Sequence, residues 1–126
     1  MIPRFSDPEP LEPHHRTRGF GCGISALDSW IATEALAAQA RRSARAFVVT
    51  DSRDGERVVG YHAICAGHLL ERKATLSVAA DMPLHPIPII LIARLAVDTE
   101  VQGRGIGAWL LTDALTRALE LSGSVG

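Results

Sequence analysis

What this chain has little of narrows it first. Its 126 residues carry 13 Lys and Arg against 14 Asp and Glu, a formal net charge of −1. No global field therefore draws it to nucleic acid or to a membrane surface, and any such attraction must come from a local patch. Cysteine is scarce: Cys22 and Cys65 stand far apart, outside any Cys-x-x-Cys spacing, and read as buried thiols rather than ligands or a disulfide. His14, His15, His62, His68 and His85 show no ligand spacing, so no metal is expected. The longest apolar run, Ile87 to Val97, is too short for a membrane span and contains Arg94. The N-terminus, with Pro3, Asp7, Pro8, Glu9, Pro10 and Pro13, has no signal-peptide stretch, which points to a cytoplasmic address and no membrane partner. Length and 47% apolar content suit one core, hence a single domain over residues 1–126 with an irregular lead at 1–18.

Periodicity supplies the elements. Proline excludes regular helix from the lead. Ser25 and Asp28 have the spacing of a capping box ahead of Leu27, Trp30, Ile31, Ala35 and Ala38, which predicts a first helix to about Arg42. Ala46–Thr50 and Arg57–Cys65 are β-branched and flank the turn Ser52–Gly55, a hairpin. A weaker strand is expected at Lys73–Val78, then a stiff connector from Met82 to Pro88. From Arg104 to Leu121, Ile106, Leu110, Ala114, Ala118 and Leu121 line one helical face, with Thr112, Asp113, Thr116, Arg117 and Glu120 mostly opposite. Trp30 and Trp109 read as core or interface residues. The order is that of an α/β domain.

The most telling segment is Leu91–Asp98 followed by Gln102-Gly103-Arg104-Gly105-Ile106-Gly107: strand, glycine turn, helix. Glycines let a ligand approach the backbone, and the free N–H groups of a helix start favour phosphate oxygens. A P-loop would need a Gly-Lys-Ser/Thr ending, which Gly107-Ala108-Trp109 does not supply. The Gly-x-Gly-x-x-Ala variant of the dinucleotide fingerprint is met by Gly103, Gly105 and Ala108. However, the acidic residue expected about 20 positions on is Glu120, still inside the helix.

The pattern Gln-x-x-Gly-x-Gly after Leu-Ala-Val-Asp instead resembles the acetyl-CoA motif of the GNAT superfamily of N-acetyltransferases. The resemblance implies a GNAT-like mixed sheet flanked by helices. It places Leu95, Ala96 and Val97 on the pantetheine and acetyl group, and Gln102, Gly103, Arg104, Gly105, Ile106, Gly107 and Ala108 on the pyrophosphate. The family fold would continue past Gly126, so a C-terminal strand, helix and hairpin are expected to be missing here. With Phe20-Gly-Cys-Gly23, Leu27-Asp28-x-Trp30, Val58-Val-Gly-Tyr61, His85-Pro-Ile-Pro88 and Arg94-Leu-Ala-Val-Asp98 included, the chain looks like the TacT-type acetyltransferase toxins of bacterial toxin–antitoxin pairs. That branch implies acetyl transfer from acetyl-CoA to the amine of aminoacyl-tRNA, which blocks translation. It also implies neutralisation by a ribbon-helix-helix antitoxin, and is compatible with a homodimer.

Such chemistry needs a neutral amine, a polarised thioester carbonyl and a proton for the thiolate. In the resembling toxins a tyrosine of the C-terminal part is the general acid. The one tyrosine here is Tyr61, on a hairpin strand, and Ile87 to Val97 hold no carboxylate, so the catalytic residues stay unassigned. Arg94 is either an acceptor contact or a structural ion pair. Asp98 and Glu100 read as turn or cap residues. Arg41, Arg42, Arg45 and Lys73, beside Arg72, would flank the acceptor-stem groove of the related toxins, or be ordinary solvated charge. Two other readings stand beside the tRNA-directed enzyme: an acetyltransferase for a small amine or protein terminus, and a non-catalytic remnant that binds CoA or antitoxin.

Overall fold

The computed structural model describes residues 3–70 and 86–125. Four strands form one sheet in the order β1 (Glu9–Pro10), β2 (Arg45–Thr50), β3 (Val58–Leu70) and β4 (Pro86–Val97). Every ladder among the described residues is antiparallel, where a mixed sheet was expected. The expected strand at Lys73–Val78 and the residues before Pro86 in the connector lie outside the described residues.

The lead departs from the irregular reading. Glu9 and Pro10 pair with Val48 and Phe47, Leu11 donates its N–H to Ala46, and the Leu11 side chain is fully buried. Proline forbids helix but not an edge strand, where a missing N–H is tolerated. The same reason corrects the connector: Pro86, Ile87 and Pro88 are part of β4, opposite Leu70, Leu69 and His68. Pro86 and Pro88 are two apart, so both withhold an N–H on the same side, and β4 stands at the sheet edge among the described residues.

Helices cover both faces. The first runs from α1 (Ser25–Ser29) through a π-helical turn (Trp30–Glu34) into α2 (Ala35–Ala40). It buries Trp30, Ile31, Ala35 and Ala38 against Ala46, Val48, Tyr61, Ala63 and Ala96. Its start is not a capping box: Ile24 is the N-cap and makes no side-chain cap bond, while Asp28 accepts from the Cys22 N–H at 2.8 Å. On the other face α3 (Ile106–Val125) packs Ile106 and Leu110 on Val49, Val59 and Val101, and Ala114 on Phe47 and Ile64. Leu121, expected on that inward face, is partly exposed.

Asp113, expected toward solvent, turns inward. It accepts from His62 Nε2 and Arg117 Nε at 2.8 Å each. His62 is fully buried and stacks on Phe47; its Nδ1 has no partner. Burial pushes the imidazole pKa below its ordinary value, outweighing the pull of Asp113 in the other direction. The ring is therefore neutral, with its proton on Nε2 toward the carboxylate.

Candidate functional site

The strand, turn and helix read from the sequence are the observed ones. After β4, Asp98 caps a 3-10 turn (Thr99–Val101) by accepting from the Glu100 N–H, and the chain passes through Gln102–Gly105 into α3. Gly103 and Gly105 both have φ of +82°, a conformation that side-chain-bearing residues adopt only with strain. A Cβ built at either glycine meets no atom within 4 Å. The turn is open above, so these glycines serve backbone conformation and approach from outside rather than internal packing.

The Trp109 N–H bonds the Gly105 carbonyl, which makes Gly105 the N-cap. The amides of Ile106, Gly107 and Ala108 are thus the unpaired first-turn donors, at the positive end of a 20-residue helix. The Gln102 side chain donates to the Val97 carbonyl at 2.9 Å and closes the turn on the strand. Arg104 is exposed beside it. Close approach of α3 to the sheet is set by Gly60, where a Cβ would meet Leu110 Cδ1 at 3.0 Å and Ile106 Cγ2 at 3.1 Å.

Leu95, Ala96 and Val97 commit their side chains to the core: Ala96 faces the first helix, Leu95 and Val97 face α3. A ligand at β4 can use only the backbone of its outer edge, which no other strand among the described residues occupies.

A tie that the sequence reading missed holds the turn in place. Asp98 is 2% exposed. Its Oδ2 accepts from the Gly21 N–H at 3.1 Å and from Arg57 Nη2 at 3.2 Å, and the Thr99 N–H donates to the Gly21 carbonyl. The loop before α1 is thereby fixed between Asp98 and Asp28. Asp98 is the cap residue the sequence indicated, but its partners lie too far along the chain for local pattern to reveal.

Arg94 forms no ion pair among the described residues. Its guanidinium carbon lies 4.3 Å from the centroid of the Trp30 ring, which stacks on Tyr61 at 5.9 Å and 18°. A β-bulge shapes this: Arg94 pairs with Ala63 and Ile92 with Ile64, leaving Ala93 as the extra residue. Strict alternation would put Ile92 and Arg94 on one face. The bulge sends Ile92 toward α3 and Arg94 toward the first helix. Tyr61 is fully buried and donates its hydroxyl to the Leu27 carbonyl at 2.7 Å, and burial pushes its pKa well up. It is not the missing general acid.

The remaining arginines do not join Arg94. Arg41 closes α2, and Arg42 follows at φ 60°. Arg45 lies over Phe47 at 5.2 Å, on the α3 face, opposite to Arg94. Arg42, Ser43 and Arg45 rim a cavity of about 390 Å³ with Ile64, Cys65 and Ile90 in its lining. Arg45 and Arg94 thus lie on opposite faces of the sheet, Arg41 and Arg42 stand at the end of the first helix, and Lys73 lies outside the described residues. Among the described residues no group of three or more His, Cys, Asp or Glu could hold a metal. Cys22 and Cys65 are free and half-buried rather than fully buried. No described helix is long and apolar enough to cross a membrane.

Comparison with known proteins agrees with this geometry. The profile of the acetyltransferase (GNAT) family matches residues 11–125. A tRNA-acetylating toxin of Mycobacterium tuberculosis is 38% identical over 122 residues, 97% of this chain and 71% of the relative. Among solved structures, a tyrosine-to-phenylalanine mutant of the AtaT toxin, bound to the C-terminus of the antitoxin AtaR and acetyl-CoA, superposes with a TM-score of 0.79. It shares 25% identity over 98% of this chain and 71% of that one. AtaT complexed with acetyl-methionyl-tRNAfMet gives 0.78, with 25% identity over 97% of this chain and 73% of that one.

Proposed function

Because this chain belongs to the GNAT acetyltransferase family, we propose that it transfers acetyl from acetyl-CoA to the amino group of an aminoacyl-tRNA and so blocks translation. The observation that carries the reading is the open glycine turn at a helix start, joined to a strand whose outer backbone no other described strand occupies. A pyrophosphate fits the amides of Gly103 to Ala108, with Gln102 holding the turn and Arg104 adding charge. The backbone of Leu95, Ala96 and Val97 would hold the pantetheine amides, and the bound cofactor would supply the acetyl thioester.

In the transfer, the neutral α-amine attacks the thioester carbonyl, the C–S bond breaks, one amine proton is lost and the CoA thiolate is protonated. What the described residues supply is binding and orientation: the turn fixes the cofactor, and Arg94 takes an anionic group of the acceptor strand. Tyr61 and the carboxylates of Asp28 and Asp98 are engaged in structural bonds and transfer no proton in this scheme. Arg41 and Arg42, at the end of the first helix, and Arg45, on the α3 face, serve RNA phosphates at a distance from the reacting centre. The setting is the cytoplasm, and the partner that silences the enzyme is an antitoxin of the ribbon-helix-helix type.

The test is incubation with labelled acetyl-CoA and a pool of charged tRNAs, followed by analysis of the released amino acids. N-acetylated aminoacyl-tRNA supports the reading. Acetylation of free amines or peptide termini, with no salt-sensitive RNA affinity, moves the assignment to a small-amine acetyltransferase.

A further inference from the structure

Arg94 keeps a half-buried charge without a carboxylate partner among the described residues, on the strand that would carry the thioester. A long, flexible guanidinium in that position needs something to hold it. Among the described residues the surface it lies against is the face of Trp30. That ring is itself held: Trp30 is 6% exposed, it stacks on Tyr61, and Tyr61 is anchored to the Leu27 carbonyl one turn away on the same helix.

The helix is deformed at this residue. Trp30 opens the π-helical turn, and the Ala35 N–H reaches back five residues to the Trp30 carbonyl. Wide turns of this kind cost helix stability and concentrate where a side chain must be placed. Opposite it, the bulge at Ala93 turns Arg94 to the same face. Two departures from regular structure, on two elements, therefore meet at one stacked contact.

We propose that Trp30 is a positioning residue: its indole is the platform that holds the Arg94 guanidinium flat at the sheet edge, with its donors turned to a phosphate of the acceptor strand. Stacking leaves the N–H fork in the plane free, which suits bidentate recognition of a phosphate. The inference rests on the acceptor role given to Arg94 above.

A double-mutant cycle tests it, read as KM and kcat for charged tRNA and for acetyl-CoA, and in parallel as charged-tRNA affinity, which needs no turnover. Trp30→Leu is expected to raise KM for charged tRNA about tenfold, with kcat and the acetyl-CoA KM within about twofold, whereas a mere packing defect would move all of them. Trp30→Phe keeps an aromatic face and recovers most of the loss. In an Arg94→Ala background Trp30→Leu adds almost nothing, because the platform then has nothing to carry. Additive effects of the two substitutions, or unchanged tRNA use by folded Trp30→Leu, overturn the platform and leave the function standing. Unchanged tRNA use by Arg94→Ala removes the acceptor role and the platform together.

Discussion

The glycine turn and the arginine side of this domain are built on different terms. At the turn the groups on offer to a ligand are backbone amides, their geometry set by two residues at φ +82° and by the start of α3. On the arginine side the groups are long side chains whose direction depends on what each lies against: Trp30 for Arg94, Phe47 for Arg45. A backbone site is written in local sequence, because glycine spacing fixes it. A side-chain site is written in the packing, because strand parity and one bulge decide which face each arginine reaches.

That contrast can be broken from either end. The largest effect is expected from Gly105→Val: the positive φ and the filled space over the turn should weaken acetyl-CoA about a hundredfold or more in calorimetry, with little change in charged-tRNA affinity. Gly60→Ala acts from beneath. Its Cβ would press on Leu110 and Ile106 at 3.0–3.1 Å, lowering stability by about 1–3 kcal/mol in denaturant unfolding and loosening acetyl-CoA several-fold, while leaving the Arg94 stack alone.

Acid should separate the regions differently. The His62 pKa is depressed in the fold by burial, so the stability it contributes is present above the unfolded value near 6.5. That stability is lost as pH falls through the folded value. Melting temperature should therefore drop as pH falls from about 6.5 toward the lower folded value and level off beneath it, and His62→Gln should flatten the drop. The smallest effect concerns Arg42, held at φ 60° where helices usually place glycine. Arg42→Gly should stabilise by up to about 1 kcal/mol yet weaken charged-tRNA binding in a salt-dependent way. Stabilisation without any loss of RNA affinity would make Arg42 plain solvated charge.

The sequence already carried the hairpin, the inward face of α3 at Ile106, Leu110 and Ala114, and the glycine turn, since each follows from spacing within a short window. It did not carry β1, the extension of β4 through Pro86 and Pro88, or the inward turn of Asp113. Proline signals what a segment cannot be, and only the sheet's topology says that an edge strand is open to it. Asp113 reads as surface until a neutral histidine 51 residues earlier in the chain is placed beneath it. The two-sided split of Arg45 and Arg94 was hidden for the same reason: no local pattern announces the extra residue at Ala93.

The bond between Gly21 and Asp98 spans 77 residues, and it bears on how the cofactor site comes into being. A cradle whose base is pinned across most of the chain cannot take its final shape while the chain is still partly assembled. With acetyl-CoA at the proposed turn, its binding is in this way coupled to completion of the whole sheet: the ligand would select folded molecules as a body and protect the N-terminal loop as much as the turn.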